Sequence, residues 1–309
     1  MSKDKKKKDY NILALIALWL ALFSWGIHGV AGRFLALHNV SMLAVMEIRF
    51  IIGTILFLIY LLITTSLNFF YFKYYKTLLP LSFVGLFSNS IFYHLGLKYI
   101  PATLVMLLEN LSPFFVVLMV LIIEKSKPKK HEVIALLVSF SGLVLIVVGK
   151  GGLKISNSQF YIGVLLEVAA GLTFGAYTYF SASFFKKNSI EFSFQMMMNI
   201  LFQVFLYSSI LGLPFLFSID YKALQTIDIL LILEMGIFQS FLAYLFWNYA
   251  LSKLPTSSTS ILFYMTVVFT SINEMIFLKF YPNVVIIFGS IMVFISAIVL
   301  SIKSNKTIN

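Results

Sequence analysis

Five glutamates stand where glutamates are costly. Glu47, Glu109, Glu167, Glu234 and Glu274 each lie inside an apolar run long enough to cross a bilayer. A charged side chain in hydrocarbon costs at least about 2.5–3.5 kcal/mol on insertion scales, so each must face protein or a wet cavity. There it can lock two helices together by hydrogen bonds, contact a solute or carry a coupling proton. Glu109 has the richest setting. Asn110 follows it, and Pro113, four residues on, has no N–H to donate to the Glu109 carbonyl. An acid, an amide and a free backbone carbonyl thus meet near the middle of one run, as in the discontinuous helices of carrier sites. The plainer alternative is a proline kink whose carbonyl a nearby serine caps.

Other polar side chains mark inward faces. Ser82, Gly85 and Asn89 form one stripe, and Thr266, Thr270 and Glu274, with Asn273 adjacent, form another. Gln195, Asn199 and Gln203 share one helical face by their i, i+4, i+8 spacing, either lining a pathway or bonding a neighbouring helix. Glu47 and Arg49 are two residues apart, point to nearly opposite sides and do not pair with each other. Arg49 then snorkels or meets an acid on another helix, a structural role. His28 and His94 titrate in the right range to shuttle protons, although a lone histidine is commonly a polar contact. Trp25, Tyr93, Tyr177, Trp247, Tyr249 and Tyr264 can stack on a planar solute, while Trp247 and Tyr249 also suit an interfacial belt. Gly171 and Gly175 allow close helix approach, read here as packing. The histidines show no metal-ligand spacing, and there are no cysteines, no phosphate-binding loop and no Ser/His/Asp constellation. No metal, cofactor or enzymatic activity is expected.

These residues need a scaffold, and composition names it. The chain is 60% hydrophobic and 11% charged, with mean hydropathy +0.96, which excludes an ordinary soluble domain. A net charge of +11 does not point to nucleic acid, because the lysines gather in the segments between apolar runs. A spanning helix needs about 20 apolar residues, and ten segments qualify: 11–31, 43–64, 78–99, 102–123, 132–149, 160–182, 193–214, 228–250, 256–279 and 283–302. The lysine-rich start leads into the first run with no cleavage site, so residues 1–10 read as a cytoplasmic basic leader and the first span as retained. With the N-terminus inside, sixteen of the 23 Lys and Arg fall on the cytoplasmic side and six outside, with Arg49 inside a span. That bias fits an even number of spans with both termini cytoplasmic, residues 303–309 forming the tail.

The chain also repeats itself. Leu97 and Pro101 recur as Leu251 and Pro255, Phe115 as Phe269 and Phe140 as Phe294, at one constant offset. The repeat assigns 11–149 and 160–302 to two copies joined by an outer linker, 150–159. Five spans per copy is odd, so the copies are inverted about an axis in the membrane plane.

Trp25-Gly26, Arg49-Phe50, Leu97-Lys98-Tyr99-Ile100-Pro101-Ala102, Pro113, Glu124, Tyr249-Ala250-Leu251 and Pro255 give the chain its resemblance to the drug/metabolite transporter superfamily, in its EamA-type ten-helix form. The second copy departs where Val267 matches Pro113 and Leu278 matches Glu124. The resemblance implies transport and a cavity built from spans one, three, four, six, eight and nine. The expected fold is an all-α integral membrane protein, ten transmembrane helices in two inverted five-helix repeats. The expected function is secondary, alternating-access export of a small metabolite such as an amino acid across the inner membrane. Its expected partners are that cargo, the bilayer and coupling protons. Uptake or exchange of a nucleotide-like or sugar-like solute is the alternative, and a channel or lipid-acting membrane protein the alternative of another class. The expected pathway residues are Glu109, Asn110, Asn89, His94, His28, Glu167, Tyr177, Trp247 and Tyr264.

Overall fold

The computed structural model describes residues 3–96, 99–100, 102–149, 159–188, 193–277, 279 and 281–307. The motif residues Leu97, Lys98 and Pro101, Leu278 and most of the central linker lie outside them. The described residues form helices and connecting turns. The spans run Ile12–Leu37, Met42–Ile63, Phe69–Gly96, a shorter Leu107–Ile123, Lys130–Gly149, Phe160–Lys187, Phe194–Ser218, Thr226–Lys253, Thr256–Phe277 and Val284–Ile302; they are called spans one to ten below. Ten crossings put both chain ends on one face, the terminal face, and the 150–159 connection on the other, the linker face. Large apolar side chains such as Ile63, Ile122 and Leu165 stay exposed on the outside, as a lipid-facing surface requires.

Packing follows a twofold rule. Spans five and ten, two and seven, and four and nine pair across the pseudo-axis. Span one packs on spans eight and nine, and span six, its counterpart, on three and four. Span two packs on eight, and span seven on three. Small residues permit the closest of these contacts. In spans five and ten the Gly142 and Gly289 backbones meet so closely that a Cβ on either would lie 2.5–2.6 Å from the other's carbonyl. Gly26 admits Phe269 of span nine, and Gly171 and Gly175 admit the backbone of span four.

The repeat reaches into the irregular backbone. Span three contains a π-helical segment, Leu81–Ser88, and span eight another, Met235–Leu242. The two begin and end at one offset of 154 residues, the offset of the sequence repeat. Span four is interrupted between Ala102–Glu109 and Ser112–Ile123. Span nine is interrupted between Thr256–Leu262 and Met265–Phe277. The first break accords with Pro113. The second forms without a proline, where Thr266 and Val267 donate to Phe263 and Tyr264 in short, three-residue turns.

Candidate functional site

All five intramembrane glutamates sit in the linker half of their spans. Arg49, Glu109, Glu167, Glu234 and His28 lie seven to nine residues from that end of their helices, roughly 10–14 Å in.

A polar network joins spans one, two and eight. Gln239 Nε2 donates to both carboxylate oxygens of Glu234, at 2.9 Å. This fixes the amide, so its Oε1 must accept, and His28 Nδ1 lies 2.9 Å from it. The His28 proton therefore sits on Nδ1. Arg49 Nη1 lies 3.2 Å from each of the two His28 ring nitrogens. Arg49 Nε donates to Ser240 Oγ at 3.2 Å. The result is a polar chain from Arg49 through His28 and Gln239 to Glu234. Sequence periodicity hides it. Glu234 and Gln239 are five apart, a spacing that diverges on an α-helix and converges on a π-helix with its i→i+5 repeat. The same segment leaves the Gln239 carbonyl to accept from Trp25 Nε1 at 3.1 Å. Gln239 and Ser240 are thus site residues that helical spacing does not reveal, and Arg49 meets a histidine and a serine rather than an acid.

Two further acids, Glu109 of the first copy and Glu167 of the second, stand on spans four and six. Glu109 ends the first piece of span four, half-buried, with no hydrogen bond among the described residues; Asn110 is buried in the break beside it. Glu167 is fully buried, its carboxylate resting on Gly96 of span three with no hydrogen-bond partner among the described residues. Tyr93 lies within electrostatic range of Glu109, Glu167 and Arg49, and its ring is 6.2 Å from that of His28. Tyr93 therefore stands within reach of both the acids and the network.

The remaining expected residues separate into two groups. Tyr177 and Trp247 belong to an aromatic floor with Trp25, Phe174, Tyr244 and Phe263. Centroid distances are 5.3 Å for Trp25–Trp247 and 4.8 Å for Phe174–Phe263, and the Tyr177 hydroxyl accepts from Asn248 Nδ2 at 2.8 Å. Trp247, for which sequence leaves an interfacial belt open, is wholly buried there. Asn89 and Tyr264 stand apart, whereas the His94 ring lies 5.2 Å from that of Tyr93. Asn89 Nδ2 donates to the Ala170 carbonyl at 2.9 Å and ties span three to span six. His94 Nδ1 donates to Ser90 O of its own helix, and Tyr264 is fully buried at the break in span nine. Of the amide face on span seven, Asn199 holds the turn after span two through Ser66 O and Asn68 N.

Beneath the floor the terminal face is shut. Glu132, at the start of span five, accepts from Ser257 Oγ at 2.5 Å and Ser258 Oγ at 2.9 Å, at the start of span nine. Lys186 Nζ of span six donates to Thr256 Oγ1 at 2.6 Å, and span six also packs on the terminal half of span eight. The pseudo-twofold axis exchanges the two faces. Contacts of five with nine and six with eight therefore have counterparts, ten with four and one with three, which would shut the linker face. No comparable packing of those pairs occurs among the described residues. Glu132 itself matches Ile286 in the second copy, so the clamp has no chemical counterpart. Among the described residues, the contacts of five with nine and six with eight therefore hold the terminal face together without an equal at the linker face.

Residues 12–148 and 161–302 each match the EamA-like transporter family. The chain belongs to that family. Two similar proteins, both uncharacterized transporters of Archaeoglobus fulgidus, are 29% identical over 184 residues and 26% identical over 252 residues. The first alignment spans 59% of this chain and 60% of the relative; the second spans 80% and 83%. A crystal structure 16% identical in sequence superposes with a TM-score of 0.80 over 95% of this chain and 98% of its own, a likeness of fold alone. This EamA-type protein is therefore a multi-pass membrane transporter, and its polar network joins spans of both repeats.

Proposed function

We propose that this protein is a secondary carrier that moves a small metabolite such as an amino acid outward by alternating access. The observation that carries the proposal is the pair of broken helices, spans four and nine, related by the repeat, with Glu109 half-buried at one break and making no hydrogen bond among the described residues. A discontinuous span frees backbone groups, and a nearby acid turns that irregularity into a solute or proton site. Glu109, with Asn110, contacts the cargo or takes up a coupling proton. Glu167, within electrostatic range of Glu109, is the second carboxyl available to that proton, and Tyr93 and Tyr244 are titratable groups within the same range of Glu109. The lysine bias supports an inner-membrane orientation with the terminal face in the cytoplasm.

The test is counterflow in proteoliposomes preloaded with an amino-acid and metabolite mixture. Wild type exchanges at least one member saturably. Glu109→Gln, at normal protein level, exchanges it at least about tenfold more slowly. Wild-type flux in that variant ends the assignment of Glu109, and flux indifferent to an imposed pH gradient removes the proton.

A further inference from the structure

The connection from span two into span three carries aromatic rings and cations that the site between the spans does not use. Residues 64–77 hold six aromatic rings, two lysines and no acid. Phe69–Tyr74 is a 3₁₀ helix, whose three residues per turn set side chains at i and i+3 on one edge. Tyr71 and Tyr74 form an inward edge that packs on the core. The Tyr74 ring meets Phe184 of span six edge to face at 5.1 Å, and its hydroxyl lies 3.4 Å from Asn188 Oδ1. Phe70 and Lys73 form an outward edge, with Lys73 Nζ 3.6 Å from the Phe70 ring centroid. Phe69 and Phe70 are 74% and 56% exposed, and Lys73, Tyr75 and Lys76 are exposed beside them.

The outward edge is held in place from behind. Asn68 Oδ1 accepts from Phe70 N at 2.9 Å, Asn68 N donates to Asn199 Oδ1 of span seven at 3.0 Å, and Asn199 Nδ2 donates to Ser66 O at 2.9 Å. Groups presented on a fixed backbone lose little freedom when a ligand settles on them. Their depth is set by the chain: span three begins at Phe69, so the exposed rings meet the edge of the hydrocarbon at the terminal face and the lysines reach headgroup level. The repeat supplies the comparison. An ordinary aromatic belt recurs at both interfaces, but the matching residues at the linker face, 223–230, hold no aromatic ring, no lysine or arginine, and one acid, Asp228. The pairing of rings with cations belongs to the terminal face of this stretch alone.

We propose that segment 69–76 is a binding site for an anionic phospholipid in the leaflet at the terminal face. Lys73 and Lys76 receive the headgroup phosphate, and Phe69, Phe70 and Tyr75 lie against the upper part of the acyl chains. Charge decides the class of lipid: two lysines with no acid in the same connection favour a headgroup of net negative charge over a zwitterionic one, as juxtamembrane basic segments do. The inference goes beyond the carrier reading and does not depend on it.

The test titrates the full chain, in a non-ionic detergent, with phosphatidylglycerol, phosphatidylcholine or inorganic phosphate, and counts bound lipid by native mass spectrometry. Wild type binds its tightest phosphatidylglycerol at least about tenfold more strongly than phosphatidylcholine, and the preference shrinks as salt rises. Lys73→Gln with Lys76→Gln weakens phosphatidylglycerol binding at least about tenfold and leaves phosphatidylcholine binding unchanged. Lys73→Arg with Lys76→Arg, which keeps both charges, keeps the preference. Lys222→Gln, which removes an exposed lysine at the linker face, keeps wild-type affinity. A double glutamine variant that binds phosphatidylglycerol as wild type does overturns the inference. So does an equal loss in Lys222→Gln, the mark of net charge alone, or displacement of the lipid by an equal concentration of inorganic phosphate, the mark of a free-anion site. No cargo enters the assay, so each of these results leaves the carrier reading standing.

Discussion

Removing the Glu132 carboxylate opens the terminal face. Glu132 Oε1 accepts from two hydroxyls on span nine, Ser257 and Ser258, and Oε2 accepts from its own Lys129 N–H at 2.9 Å. The last bond lies at the start of one helix and does not depend on the gate. The first two cross it. Hydrogen bonds to a charged group contribute about 1.5–3 kcal/mol each. Water takes their place once the face opens, so the difference between the closed and open states is smaller, about 2–2.8 kcal/mol for the pair. That shifts the equilibrium about 30- to 100-fold toward opening, by the usual tenfold per 1.4 kcal/mol. The chain has no cysteine, so a single reporter is unambiguous. Thr259, fully buried one turn into span nine, serves as Thr259→Cys. In inside-out vesicles its labelling by an impermeant maleimide is slow in the parent and accelerates about 30- to 100-fold with Glu132→Ala. Glu132→Gln, still an acceptor, falls between. A Glu132→Ala rate within about twofold of the parent refutes the clamp.

Two further changes separate packing from pathway. Gly26→Val places a Cβ 2.4 Å from the Phe269 Cβ, an overpacking that costs about 1–3 kcal/mol. The detergent-solubilised protein is expected to melt several degrees lower, and an unchanged melting curve contradicts the close contact of spans one and nine. Asn89→Leu removes the bond to Ala170 O, a contact of the kind that averages about 0.6 kcal/mol in membranes. Its expected result is a small drop in melting temperature with counterflow retained, whereas lost flux at normal stability would return Asn89 to the pathway.

The sequence by itself determined the class, the number of crossings and the repeat. These depend on hydrophobic length and on side-chain chemistry, which need no partner to be read: ten apolar runs, lysines between them, and Leu97 and Pro101 echoed by Leu251 and Pro255. It also marked Glu109 and Pro113 as the place where span four breaks. Only the tertiary structure decided the matching break in span nine, where no proline stands, and the π-helical turn that brings Gln239 to Glu234. It alone carried Arg49 to His28, buried Trp247 in a floor and tied Asn89 to span six. The physical reason is that helical spacing predicts which residues share a face only while the repeat stays at 3.6 residues, and says nothing of which helix that face meets. Which face of the molecule stands closed was hidden for the same reason. It depends on Glu132 finding two serines 125 and 126 residues away, while the matching position of the other copy holds an isoleucine that can find none.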